Sequence, residues 1–286
     1  MSVSVLTKTA RSLGCLGPSG TFCEEAALRY LHRQDTAASL SFFNSIREVI
    51  AAVDRNETEE GVVPLENSIE GTVNTTVDML ALETDIRIKG EVVLPVEHHL
   101  LTPAGCGLEA VTTVASHPQA LAQCEKHLSD LLPRAKRVPT NSTAEAARML
   151  AESPPGWAAI GSVRASEVYG LSITVRNISD LPCNQTRFVV LGRKDSAPTG
   201  RDKTSLVFAL AHRPGSLLNA LKELAEAGLN LTKIESRPSK RGLGEYWFFV
   251  DFEGHRLEDS AARALESLSR QVFWLRVLGS YPADEY

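Results

Sequence analysis

The chain has 286 residues, 43% of them hydrophobic and 23% charged, with a net charge of −5. These are the proportions of a globular protein with room for one large or two ordinary domains; the acidic balance, the lack of a basic stripe and the lack of an 18-residue apolar run speak against nucleic acid or membrane as partner. Five cysteines (Cys15, Cys23, Cys106, Cys124 and Cys183) without a Cys-x-x-Cys pair argue against a disulfide framework and a structural zinc site and fit reduced thiols in a cytoplasm; the leader, Met1 to Arg11, lacks the apolar core of a signal peptide.

Short apolar runs then alternate with helical patterns from Leu13 to Arg193. Strands are predicted at Leu13 to Leu16, Leu40 to Phe43, Gly61 to Val63, Ile86 to Leu94, Val111 to Ser116, Trp157 to Ile160 and Phe188 to Leu191. Three capping boxes, in which a hydroxyl residue is followed three positions later by Glu, open helices: Thr21 with Glu24, Ser45 with Glu48, and Ser142 with Glu145. This alternation predicts a mainly parallel sheet with helices on both faces. The polar stretch 194–203 reads as a linker. Beyond it the order changes: a strand over 204–211, a helix from Pro214 closed by Gly228, strands over 229–236 and 245–252 joined through Ser239-Lys240-Arg241-Gly242, a helix over 257–270 and a strand over 272–279. That is the β-α-β-β-α-β order of a ferredoxin-like unit.

Several segments carry candidate chemistry. Asn184-Gln185-Thr186-Arg187-Phe188 sets a hydroxyl, a permanent cation and an aromatic face at the start of an apolar strand. It reads either as a small-anion site or as a solvated strand end. Gly17-Pro18-Ser19-Gly20-Thr21-Phe22 lies between a strand and a capped helix, where free backbone N–H groups suit an anion or simply make a tight turn. It is not a phosphate loop, because the Lys-Ser/Thr ending is absent. In the loop Pro64-Leu65-Glu66-Asn67-Ser68-Ile69-Glu70-Gly71, helix capping and catalysis both explain Asn67 and Ser68. His117-Pro118-Gln119 places a polar pair at a strand end and helix start.

Taken together with Asn141-Ser142-Thr143-Ala144-Glu145-Ala146-Ala147, these motifs resemble, in order and spacing, those of the prephenate dehydratases. The downstream unit is similar to the ACT regulatory domain of that family, with Pro214-Gly215-Ser216-Leu217-Leu218 and Glu235-Ser236-Arg237-Pro238 matching its two phenylalanine-holding segments. The resemblance spans roughly Gly14 to Gly279. It implies a two-lobed α/β catalytic domain like a periplasmic binding protein over 12–193, with one lobe over about 12–92 plus 180–193 and the other over about 93–179, followed by an α+β ACT domain over 204–280.

The implied enzyme is a carbon–oxygen lyase that turns prephenate, a small dianion, into phenylpyruvate, carbon dioxide and water, with L-phenylalanine as allosteric effector. Aromatisation drives that reaction, so neither metal nor cofactor is expected. The resemblance assigns catalysis to Thr186, Arg187, Asn67, Ser68 and Glu70, with Thr186 assisting departure of the ring hydroxyl and Glu66 or Glu70 as a possible proton source. Arg187 is expected to pair with a substrate carboxylate or else to hold the lobes together. Substrate contacts are expected from Ser19, Gly20, Thr21, Glu66, Gln119, Asn184 and Phe188. Phenylalanine contacts are expected from Gly215, Ser216, Leu217, Leu218, Asn219, Glu235, Ser236, Arg237 and Pro238. Cys23 stands where the family commonly has a small hydroxyl residue, and Gly215-Ser216-Leu217-Leu218 where Gly-Ala-Leu-Val is usual. A monofunctional enzyme, at least dimeric (a homodimer or homotetramer), is expected. Dehydration of arogenate, and a two-lobed amino-acid sensor without turnover, are the competing readings.

Overall fold

A computed structural model describes residues 11–238 and 246–284. The leader up to residue 10 and the Ser239–Gly242 connection lie outside the described residues. In the first part, β1 (Arg11–Leu16), α1 (Phe22–Arg33), β2 (Ala38–Phe43), α2 (Ile46–Asp54), β3 (Glu60–Asn67), β4 (Gly71–Thr72), α3 (Asn74–Leu82) and β5 (Arg87–Pro95) follow in order. The chain then crosses to β6 (His99–Thr102), β7 (Thr113–Ser116), α4 (Pro118–Gln123), α5 (Glu125–Leu131), β8 (Lys136–Pro139), α6 (Thr143–Ala151), β9 (Trp157–Gly161), α7 (Val163–Tyr169) and β10 (Ser172–Val175). It returns as β11 (Gln185–Gly192). The C-terminal unit comprises β12 (Asp202–Ala209), α8 (Ser216–Glu226), β13 (Leu231–Pro238), β14 (Tyr246–Glu253), α9 (Asp259–Gln271) and β15 (Trp274–Pro282).

All three capping boxes form. The hydroxyls of Thr21, Ser45 and Ser142 accept from the amides of Glu24, Glu48 and Glu145 at 3.2, 3.2 and 2.9 Å, so the sequence fixes three helix starts locally. The helix of the C-terminal unit starts later than its Pro suggests: Gly215, at φ 83°, caps α8, and Pro214 precedes the cap. The strands β6, β8 and β10 and the helices α5 and α7 escape sequence reading because they are short, and β8 is charged at Lys136 and Arg137.

The first sheet has the order β2-β1-β3-β11-β5, and the second β10-β6-β9-β7-β8. Both are mixed rather than mainly parallel. In the first, β1 runs parallel to β2 and β3, but the returning β11 enters antiparallel between β3 and β5. In the second, β7 is parallel to β8 and β9, while β6 runs against β9 and β10. This is the two-lobed α/β arrangement expected, with the chain passing between the sheets after β5 and again before β11. Its register sets Thr186 opposite Asn67 on one side and Leu94 on the other.

The third sheet, β13-β14-β12-β15, is antiparallel throughout and carries the β-α-β-β-α-β order. One of its faces buries Leu206, Phe208, Val250 and Phe252 against α8 and α9. The other buries Val207, Phe249, Leu278 and Tyr281 against Ile50, Val63, Leu80 and Ile88 of the first lobe. The linker is shorter than its composition suggests: Asp202 and Lys203 already belong to β12, and the buried Lys203 ammonium lies 2.8 Å from Glu91.

Candidate functional site between the lobes

A cleft of ≈ 290 Å³ opens where the ends of β3 and β11 meet α1, α4 and α6. Thr21, Asn67, Gln119, Asn184, Thr186 and Phe188 line it. Asn67 is the hub. Its Oδ1 accepts the amides of Ile69 and Glu70, both at 3.0 Å. Its Nδ2 donates to Thr186 Oγ1 and to Asn184 Oδ1, both at 2.8 Å. Thr186 is therefore an acceptor toward Asn67, and its own proton is not spent on that contact.

Other assigned residues sit elsewhere. Ser68 and Glu70 are exposed at the rim. Ser68 Oγ accepts the Gln185 amide at 2.9 Å and so fastens the return of the chain rather than facing the cleft. Ser19 Oγ and the Gly20 amide donate to Glu24 Oε2 at 2.9 and 2.5 Å, which directs that turn to the helix start and away from a ligand.

Arg187 and Glu66 need outright correction. Strand side chains alternate, so when Thr186 and Phe188 face the cleft Arg187 must face the opposite side. There its guanidinium meets Glu91 at 2.6 Å, the Tyr281 hydroxyl at 2.6 Å, and Asp251 of the C-terminal sheet. Burial alone would lower its basicity, but Asp251, Tyr281 and Glu91 outweigh this and hold it well above the ordinary value. Glu66 lies on the same side, 2.6 Å from Lys233. That carboxylate faces the C-terminal sheet, on the side of β3 opposite the cleft that holds Thr186. Arg187 joins the lobe to the C-terminal unit, not lobe to lobe.

Among the described residues that line the cleft there is no Lys or Arg. Positive potential comes instead from helix starts, with Thr21 and Phe22 at α1 and Ser142 and Thr143 at α6. Cys23 lies among them as a small neutral group. Its Sγ contacts the Val62 carbonyl at 3.1 Å, and burial pushes the thiol up to about 12. Sequence reading passed over His98 and Gln123. Gln123 lies one helical turn after Gln119, so the i, i+4 spacing was its available signal. His98 had none.

A larger cavity, ≈ 500 Å³, lies at the junction with the C-terminal unit. Its cations are already occupied: Arg33 pairs with Asp284, and Lys89 and Arg11 with Glu60. In the C-terminal unit, Ser216 and Leu217 line a cavity of ≈ 170 Å³ with Leu210, His212, Arg213, Tyr246 and Phe248. Ser236 is paired in register with Phe248. Glu235 and Arg237 instead reach Thr72 and Asp78 of the catalytic lobe, while Leu218 is 71% exposed.

A two-lobed α/β unit with a neutral, amide-rich cleft, joined to a ferredoxin-like sheet, defines a small-molecule-binding unit with a second, appended domain. The sequence profile described as "Prephenate dehydratase" matches residues 13–196, and that of the ACT domain matches residues 204–270. The chain is 44% identical over 267 residues to the bifunctional chorismate mutase/prephenate dehydratase of Aquifex aeolicus, covering 93% of this chain and 72% of that one. It is 42% identical to the prephenate dehydratase of Methanocaldococcus jannaschii, covering 93% and 96%. The crystal structure of the Arthrobacter aurescens prephenate dehydratase in complex with L-Phe superposes with a TM-score of 0.85 at 35% identity, covering 95% of this chain and 90% of that one. The chain belongs to the prephenate dehydratase family. It is a carbon–oxygen lyase with an ACT regulatory domain.

Proposed function

We propose that this chain removes the ring carboxylate and the ring hydroxyl of prephenate to give phenylpyruvate, carbon dioxide and water. The observation that supports this best is the bond from Asn67 Nδ2 to Thr186 Oγ1, at 2.8 Å. It leaves the proton of the hydroxyl free for a leaving oxygen in the cleft. A threonine is a poor acid, so Thr186 acts by hydrogen bonding to the developing hydroxide in a site shielded from water. Electrons of the breaking bond to the carboxylate carbon close the aromatic ring as carbon dioxide and hydroxide leave, and the hydroxide takes a proton from solvent to become water. The carboxylates are held by neutral donors, namely Gln119, the Ser142 and Thr143 region and the helix starts, rather than by Arg187.

The catalytic domain takes residues 12–193, with lobes over about 12–92 plus 180–193 and about 93–179, and the ACT domain takes 204–280. Phenylalanine, bound in the ACT domain near Ser216 and Leu217, lowers activity in an assembly of at least two chains. The enzyme works in the cytoplasm. No helix among the described residues is long and apolar enough to cross a membrane. The deciding experiment offers purified protein prephenate and arogenate separately and follows phenylpyruvate and phenylalanine. Phenylpyruvate from prephenate is the expected product. Turnover of arogenate alone, or of neither, overturns the assignment. Saturating phenylalanine is expected to reduce the rate by about 5- to 150-fold, and an unchanged rate and sedimentation profile would remove the effector role.

A further inference from the structure

We propose that His98 is a positioning residue for this reaction: as an Nε2–H donor it fixes the orientation of Gln123 and, through Asn184 and Asn67, the amide network that reaches Thr186 and keeps that hydroxyl's proton available to the substrate. The proposal rests on the catalytic reading above. Its starting point is backbone geometry. Because Asn67 Oδ1 accepts the Ile69 and Glu70 amides, the other end of that side chain must be the NH₂ group. Asn67 Nδ2 then donates to Thr186 Oγ1 and to Asn184, which fixes Asn184 with its oxygen toward Asn67. Asn184 Nδ2 in turn donates to Gln123 Oε1 at 3.2 Å. That oxygen lies 3.2 Å from His98 Nε2, so the imidazole nitrogen facing it must carry the hydrogen.

His98 is 4% exposed, lines the cleft and packs its ring against Phe22 with centroids 6.0 Å apart. Burial, the largest influence, pushes its pKa down to about 4, so near neutral pH only one ring nitrogen carries a proton. The other, Nδ1, has no hydrogen-bond partner. Two backbone amides thus dictate the tautomer of a histidine through three side-chain amides. Gln123 Oε1 accepts from both His98 and Asn184, so the two donors together hold that amide in one orientation. If Gln123 turned over, Asn184 would lose its acceptor and Asn67 would lose the partner that holds its NH₂ group beside Thr186.

The test compares His98→Leu with His98→Gln, each alone and combined with Thr186→Ala, in steady-state turnover of prephenate. His98→Leu is expected to lower kcat about tenfold with KM nearly unchanged, the scale of one buried hydrogen bond expressed in the rate. His98→Gln, whose NH₂ group reaches the Nε2 position, should restore most of the loss. In the Thr186→Ala background the Leu variant should cause no further loss, since the network then ends on nothing. Equal fractional losses with and without the Thr186 hydroxyl, or a Gln variant as poor as Leu, would overturn the proposal. A second readout does not depend on turnover. Nitrogen-15 NMR of histidine-labelled enzyme at neutral pH should show His98 protonated at Nε2, and protonation at Nδ1 would overturn it. If wild-type enzyme does not turn over prephenate, or Thr186→Ala retains full activity, the catalytic reading fails while the NMR result still decides the orientation of the network.

Discussion

Thr186 and Arg187 are adjacent in sequence, share the strand β11 and are 8% and 7% exposed, yet they belong to different environments. The cleft face of the strand holds neutral groups at hydrogen-bond distance: Thr186, Asn67, Asn184 and Gln123. The opposite face holds a buried ionic cluster of Arg187, Glu91, Lys203 and Asp251 that joins the catalytic lobe to the ACT sheet. Burial disfavours the Glu91 charge, but Arg187 and Lys203 outweigh it and hold the carboxyl below its ordinary range. One strand therefore carries both the proposed reaction and the attachment. A neutral cleft can bind and release a dianion without a strong counter-charge, whereas the junction uses strong charge where nothing needs to leave.

The sharpest way to break this comparison is Thr186→Ala. Loss of a group that stabilises a departing hydroxide should reduce kcat by about a hundred- to ten-thousand-fold, while denaturation shows a loss of only about 1 kcal/mol for one hydrogen bond. Arg187→Ala should do the reverse. Removing one partner from a buried ionic cluster takes a cation from Asp251 and leaves Glu91 with Lys203 alone, and should cost about 3 to 5 kcal/mol of stability. Arg187→Lys retains the charge without the planar fork. It should lower the melting temperature but leave KM within about twofold, as expected of a residue outside the cleft; a large KM increase with stability intact would return Arg187 to substrate binding.

Acid sharpens the contrast next. The imidazole of His98 has its folded pKa depressed to about 4 from 6.5, with burial as the main cause. The unfolded chain takes up that proton first, so the contribution is fully present above the unfolded value and is lost as the pH falls toward the folded one. Across that window the loss amounts to about 3 kcal/mol. Denaturation of wild type and His98→Leu over the same pH range should show the difference between them shrinking by that amount toward acid. Parallel curves would mean that His98 is already hydrated in the fold.

Much of the architecture was legible because its causes are local. The capping boxes at Thr21, Ser45 and Ser142 each need only a hydroxyl and an amide three residues on, and each forms. The sheets were harder, since the antiparallel entry of β11 between β3 and β5 is a long-range choice that no periodicity records. For Arg187 the signal was present in the strand: alternation separates it from Thr186 and Phe188, and a carboxylate role in the same cleft contradicted that geometry. Glu66 follows the same rule beside Asn67. His98 was not legible, because its significance lies in standing 3.2 Å from Gln123 after the second lobe folds, whereas Gln123 carried a signal in its i, i+4 spacing from Gln119.

The smallest expected effect concerns how the two lobes hold each other across the cleft. The Tyr169 hydroxyl of α7 donates to the Ser19 carbonyl at 2.7 Å, Ser162 Oγ donates to the Gly20 carbonyl at 3.2 Å, and Arg164 meets Glu24 at 2.8 Å. Gly20, at φ 89°, permits this approach, since a Cβ there would lie 3.1 Å from the Ala165 Cα. These contacts touch the turn before α1 and not the groups around Thr186, so they bear on closure rather than on chemistry. Tyr169→Phe removes one of them, worth about 1 kcal/mol, or about fivefold in an open–closed equilibrium. KM should therefore rise by up to about fivefold at constant kcat. A fall in kcat at constant KM would mean that the latch shapes the reacting geometry itself, and the separation between the closing turn and the Thr186 relay would have to be abandoned.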